Sequence, residues 1–118
     1  MSKVIVIDDN MVNRTLAKTY LRRANIYSEI LEAEDGDIGL QMIIEDEDIE
    51  IVLLDIYMPR MNGFEVLSSL KEKGISRKVI VLSTDDEQKE KVIEMGANEF
   101  LSKPIKEVEL LEVLNKIK

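Results

Sequence analysis

The chain has 118 residues, 45% hydrophobic and 34% charged, with a net charge of −8. That length and mixture suit one domain, residues 1–118, with a single core and a solvated surface. The negative balance argues against an electrostatic grip on nucleic acid or an anionic membrane, and the lack of cysteine and histidine excludes disulfides, a Cys/His zinc site, a thiol nucleophile and a histidine base.

The opening MSKVIVIDD lacks the apolar stretch of a secretion signal. No run approaches the ~18 apolar residues of a membrane span. A cytoplasmic protein is the expectation, and the absence of cysteine fits it.

The first element is VIVI (4–7), a continuous β-branched run. Such a run reads as a strand covered on both faces of a parallel sheet. It ends abruptly in Asp8, Asp9 and Asn10. From Asn10 to Ala24, Val12, Leu16, Tyr20 and Ala24 recur every four positions beside Ala17 and Leu21, which predicts a helix. SEILEA (28–33) reads as a more polar edge strand. Asp35 is a candidate cap for a second helix carrying Ile38, Met42 and Ile43. IVLL (51–54) is a second buried strand, and Asp55 follows it directly.

Asn62 is positioned to cap a third helix with Phe64, Leu67 and Leu70 on one stripe. VIVL (79–82) is a third buried strand, followed by Ser83 and Thr84. The stretch DEQKEKVIEM (86–95) opens acidic, which suits the positive end of a helix dipole, and Gly96 ends it. EFLS (99–102) reads as the other edge strand and leads to Lys103 and Pro104. A last helix carries Leu110, Leu111, Leu114 and Ile117.

Strand and helix thus alternate five times along the sequence. That order predicts a doubly wound α/β fold: a parallel sheet with right-handed crossovers and helices on both faces. Ligands of such folds bind at the carboxyl ends of the strands, where the strand order reverses. The residues there are Asp8, Asp9, Asp55, Ser83, Thr84 and Lys103. Acids often follow strands simply because loops are wet, so no single residue is decisive. Together they form an oxygen-ligand set for a hard cation such as Mg²⁺, with a lysine and a hydroxyl left over for phosphoryl oxygens. One carboxylate could be a nucleophile that forms an aspartyl phosphate; the sequence pattern does not select which.

IDDN, LLDIYMPRMNGFEVL, VIVLST and FLSKPI, occurring in that order, resemble the receiver domain of bacterial two-component response regulators. The resemblance runs over essentially the whole chain and is nearest to single-domain, chemotaxis-type receivers. It implies a flavodoxin-like, five-stranded sheet of order 2-1-3-4-5 with five helices. It implies that Asp55 is the phosphoacceptor, and that Asp9, Asp55 and the backbone carbonyl of Tyr57 bind Mg²⁺, or Mn²⁺, with Asp8 assisting through water. Lys103 would pair with one phosphoryl oxygen. Ser83, or Thr84 beside it, would hydrogen-bond another; Ser83 is preferred because it follows VIVL directly. Ser83 and Phe100 would be the switch pair, acting on the 83–106 face. The Lys103–Pro104 peptide is a candidate for the cis form.

The implied partners are a histidine kinase or phosphotransfer protein and a downstream protein target, with no direct nucleic-acid or membrane contact. The implied catalysis extends only to the chain's own phosphorylation and dephosphorylation. The chain is expected to be a stand-alone regulator or the receiver portion of a larger one.

There are departures from the family pattern. The segment from Ser83 to Gly96 is shorter than usual, and Asp85 is an acid placed to influence how water reaches a phosphoryl group. Asn62 stands where many relatives have aspartate. Gly39 stands where they often have alanine, which weakens the second helix slightly. Two other readings use the same residues: a small Mg²⁺-dependent hydrolase with an aspartyl-phosphate intermediate, and an interaction module that takes no phosphate. The first usually needs a substrate-enclosing cap, for which the chain has no room. The retained acids, serine and lysine argue against the second.

Overall fold

A computed structural model describes residues 2–117. The strands are β1 (Lys3–Ile7), β2 (Glu29–Ala33), β3 (Ile49–Asp55), β4 (Lys78–Ser83) and β5 (Glu99–Ser102). They form one parallel sheet in the order β2-β1-β3-β4-β5. The helices are α1 (Met11–Ala24), α2 (Gly36–Glu45), α3 (Gly63–Glu72), α4 (Lys89–Glu94) and α5 (Glu107–Ile117). Fold class and strand order are as expected, and the polar strands β2 and β5 lie at the two edges. Among the described residues, no helix is long and apolar enough to cross a membrane.

The apolar runs explain the layering. In β1, Ile5 and Ile7 face one side of the sheet while Val4 and Val6 face the other, and all four are buried. The first side packs on Leu40 and Ile43 of α2, Val66, Leu67 and Leu70 of α3, and Val92 of α4. The second packs on Ala17 and Leu21 of α1 and Leu110, Val113, Leu114 and Ile117 of α5. Each such aliphatic side chain contributes roughly 1.5 to 3 kcal/mol when fully buried. A strand with no polar face can therefore be stable only between two helical layers.

Three helical expectations need correction. On α1 the inward residues are Ala17 and Leu21, while Val12 is 73% exposed. A four-residue spacing drifts about 40° per step around a helix of 3.6 residues per turn, so the stripe that starts exposed at Val12 meets the core only from Leu16 and Tyr20 on, which pack partly buried against it. On α5, Val113 is buried and Leu111 only partly so. The stretch expected as one helix over 86–95 begins as a 3-10 turn, Asp86–Gln88, and becomes α-helical only at Lys89. Gly96 ends it, as expected, at φ +110, a conformation that suits glycine.

Gly39 also reads differently in three dimensions. A Cβ there would lie 2.4 Å from Ile7 Cδ1. Its cost in helix propensity is offset by the close approach of α2 to β1, which a larger residue would push apart.

Candidate functional site

The strand order reverses between β1 and β3, and an aspartate stands at the carboxyl end of each at that point. Asp8 follows β1 and is 2% exposed; Asp55 ends β3 and is 7% exposed. Asp9 is exposed beside them. Carboxylate oxygens of Asp8, Asp9 and Asp55 all lie within 4.8 Å of one another. That spread is close to the about 4.2 Å separating opposite oxygens around an octahedral Mg²⁺. The donor set, all oxygen with no nitrogen or sulfur, also suits a hard cation.

Like charges at that distance need a counter-charge, and Lys103 supplies one. Its Nζ donates to Asp8 Oδ2 at 2.7 Å and to Asp55 Oδ1 at 3.1 Å. Burial works to lower the ammonium's pKa, but the hydrogen bond to Asp8 and the charges of Asp55 and Asp8 prevail and hold it above 10.5. At Asp55 the balance runs the other way. Burial, and then the charge of Asp8, raise its carboxyl from an ordinary 3.8 to about 6, against the pull of Lys103 and of the Ile56 N–H. The pair of carboxylates at the strand ends is therefore bridged by one ammonium, which leaves the three-acid cluster short of positive charge.

The loops around this centre are fixed in different ways. Arg14 of α1 donates from Nη1 to the Asp8 carbonyl at 2.8 Å and from Nε to Glu32 at 2.9 Å, which ties the β1–α1 turn to β2. Asn10 caps α1 through the Asn13 N–H. Asn62 and Glu65 form a reciprocal capping box on α3, the role expected of Asn62. Tyr57 is exposed, and its hydroxyl donates to Asp85 Oδ2 at 2.7 Å. Its ring meets Phe64 edge to face, and Lys91 Nζ lies 4.0 Å from the centre of the Phe64 ring.

The remaining candidates from the sequence are placed as follows. Ser83 ends β4, is 1% exposed, and its Oγ accepts the Asp85 N–H at 3.0 Å. Thr84 beside it is exposed. Phe100 lies on β5 opposite Val81, partly buried against the core layer that includes α2, α3 and α4. The Lys103–Pro104 peptide is cis. Arg14 escaped the sequence reading; its only signal is an arginine on the first turn of a helix that follows two acids.

The sequence model of the response regulator receiver domain matches residues 4–115. The chain belongs to that family. This receiver is 32% identical over 114 residues to the nitrate/nitrite response regulator protein NarL of Escherichia coli, covering 95% of the chain and 52% of NarL. It therefore spans about half the length of that curated relative. It is 35% identical over 120 residues to the chemotaxis protein CheY of Listeria monocytogenes, covering 98% of each. Among solved structures, the response regulator TrrA of Thermotoga maritima, in complex with Mg²⁺ and BeF, superposes with a TM-score of 0.88 at 30% identity over all of both chains.

Proposed function

We propose that this receiver is a phosphorylation-operated signalling switch in which Asp55 accepts the phosphoryl group. The observation that carries the reading is the Lys103 ammonium bridging Asp8 and Asp55 at the point where the strand order reverses. A lysine there can follow negative charge as it moves from the carboxylates to a phosphoryl group. The likeness to TrrA, solved with Mg²⁺ and BeF, supports an oxygen-liganded Mg²⁺ beside a phosphoryl-sized group.

Asp9, Asp55 and the Tyr57 carbonyl would hold Mg²⁺, or Mn²⁺, with Asp8 assisting through water. Bound there, the metal would supply the positive charge that the three-acid cluster lacks and offset charge on the phosphoryl oxygens. An Asp55 oxygen attacks phosphorus as the bond to the donor's imidazole nitrogen breaks. The chain has no histidine, so the donor histidine would lie outside these residues, on a histidine kinase or phosphotransfer protein. The buried Ser83 hydroxyl is better placed than the exposed Thr84 to take a phosphoryl oxygen. Phosphorylation adds about −1.5 to −2 charge, and the responses of Ser83, Phe100 and Lys103 would change the 83–106 face that a downstream protein reads. The domain that does this is residues 1–118.

The test is incubation with Mg²⁺ and a small acyl phosphate. We expect about one hydroxylamine-labile phosphoryl group per chain, absent from Asp55→Asn. No adduct in the wild type, or an adduct that survives in Asp55→Asn, overturns the assignment; rapid multiple turnover of phosphate esters would make the protein a hydrolase instead.

A further inference from the structure

Asp35 is one of the few buried acids in the molecule, 3% exposed, and it does not belong to the strand-end cluster. It caps α2, accepting the Gly36 N–H at 2.8 Å. A cap needs one acceptor, and serine, threonine or asparagine serves as well as aspartate. Asp35 uses its carboxylate more fully. Oδ1 also accepts the Met61 N–H at 2.8 Å, and Oδ2 accepts the Arg60 N–H at 3.2 Å. Both donors lie in the loop between β3 and α3, far along the chain.

That loop is a closed ring. The Gly63 N–H donates to the Ile56 carbonyl at 2.7 Å, so residues 56–63 are drawn together at the base. The ring rests on the first turn of α2, where a Cβ on Gly36 would stand 2.2 Å from the Met61 carbonyl oxygen. Arg60 adds an ion pair to Asp37 at 3.1 Å. Burial works to raise the Asp35 carboxyl's pKa, but the N–H groups of Met61, Arg60 and Gly36 prevail and hold it below its ordinary range. It is therefore an anion at neutral pH, matched to backbone donors. Tyr57, whose carbonyl the proposed function assigns to the metal, sits in this ring just before Met58 and Pro59.

We infer that Asp35 is a positioning residue for the metal: its carboxylate grips the Arg60 and Met61 amides and so holds the Tyr57 carbonyl ready for Mg²⁺. This rests on the proposed function. Asp35 itself touches neither metal nor phosphoryl group. Asparagine in its place presents an NH₂ where one of the loop amides needs an acceptor. Serine keeps the helix cap but is too short to reach the loop.

The test is calorimetric titration of Mg²⁺ into wild type, Asp35→Asn, Asp35→Ser and Ile43→Val, the last a control that weakens α2 packing away from the loop. Groups that orient metal ligands typically change metal affinity tenfold or more. We expect about tenfold weaker Mg²⁺ binding in both Asp35 variants and no more than twofold change in Ile43→Val. Phosphorylation by a small acyl phosphate should recover in the Asp35 variants when Mg²⁺ is raised to saturation. Equal affinities in the Asp35 variants and the control overturn the inference.

Amide exchange of the wild type serves if the variants do not fold. The Met61 and Arg60 amides should be protected before Mg²⁺ is added and change little after it; protection that arises only with Mg²⁺ overturns the inference. A wild type that neither binds Mg²⁺ nor takes a phosphoryl group defeats the proposed function itself, a different outcome from a wild type that does both beside an unaffected Asp35→Asn.

Discussion

The two loops that flank Asp55 are built to opposite specifications. The loop after β3 is held from beneath by a buried carboxylate and by backbone donors, through Asp35, Arg60, Met61 and Gly63. The segment after β4 is held at its rim by side chains: Tyr57 to Asp85 at 2.7 Å, Gln88 to Asp85 at 3.3 Å, and Ser102 to Asp86 at 2.5 Å. Of these residues only Asp85 and Gln88 are partly buried. Buried bonds to an anion are costly to break because water does not replace them. Exposed bonds trade readily with water and contribute about 1 kcal/mol or less each. The proposed function, which presents a metal ligand in one place and moves a hydroxyl in another, would use both kinds of support. The rigid loop carries the Tyr57 carbonyl; the loosely tied one follows Ser83.

If buried charge holds the base of the pocket, removing its one cation should have the largest effect. Lys103→Met leaves Asp8 and Asp55 facing each other with no ammonium. Breaking a buried ion pair from one side costs about 3 to 5 kcal/mol, and protonation of Asp55 relieves part of that. We expect a loss near 3 kcal/mol at pH 8 without Mg²⁺, smaller at pH 5, and partly restored by Mg²⁺. Urea unfolding at the two pH values measures it. A variant as stable as wild type at pH 8 would mean that the bridge carries no weight.

The next effect comes from Asp55 alone. Its folded-state pKa of about 6 lies above the ordinary 3.8, so between those values the folded chain binds a proton that the unfolded chain has released. The group's stabilising contribution is fully present below about pH 4 and is lost as the pH rises through about 6. A shift of that size corresponds to roughly 3 kcal/mol. Wild type should therefore lose stability relative to Asp55→Asn by up to about that amount between pH 4 and pH 7, and Mg²⁺ should narrow the gap at the upper end. Asp35, whose pKa is lowered, acts in the opposite direction, so only the difference between the two proteins isolates Asp55.

The residues at the base were legible in the sequence because all but Lys103 stand at the end of a continuous apolar run, and such runs are what buried parallel strands look like. That fixed Asp8, Asp55 and Ser83 to one rim, and the strand–helix alternation added Lys103, which follows the more polar EFLS. The lysine's present partners were not legible. The sequence pattern assigned the three acids to a hard cation and left Lys103 over for a phosphoryl oxygen, whereas Lys103 already bridges two of the acids. The supports of the loops were legible only in part. Asp35 announced itself as a helix cap, but its grip on amides 25 and 26 positions away has no local signature. Asp85 and Tyr57 are 28 positions apart, and nothing in either neighbourhood names the other. The grip of Asp35 depends on how closely α2 approaches β1 and the loop after β3, and those distances are set by Gly39 against Ile7 and Gly36 against Met61 rather than by any pattern of charge.

The smallest effect should come from the rim. Tyr57→Phe keeps the ring that meets Phe64 and removes only the hydroxyl that reaches Asp85. Global stability should fall by about 1 kcal/mol or less. The local effect should be larger in proportion: Asp85 keeps its bonds to Gln88 and to the Glu87 N–H but loses its tie across the pocket. Amide exchange at Asp85 and Glu87 should therefore quicken several-fold, while the Met61 and Arg60 amides, held by Asp35, should not respond. Equal acceleration in both loops would show them to be one cooperative unit, and the contrast between a fixed loop and a movable one would be lost. Acceleration confined to 85–88 would identify the rim bonds as what restrains the segment next to Ser83, whose hydroxyl accepts the Asp85 amide and, in the proposed switch, would turn from it toward Asp55.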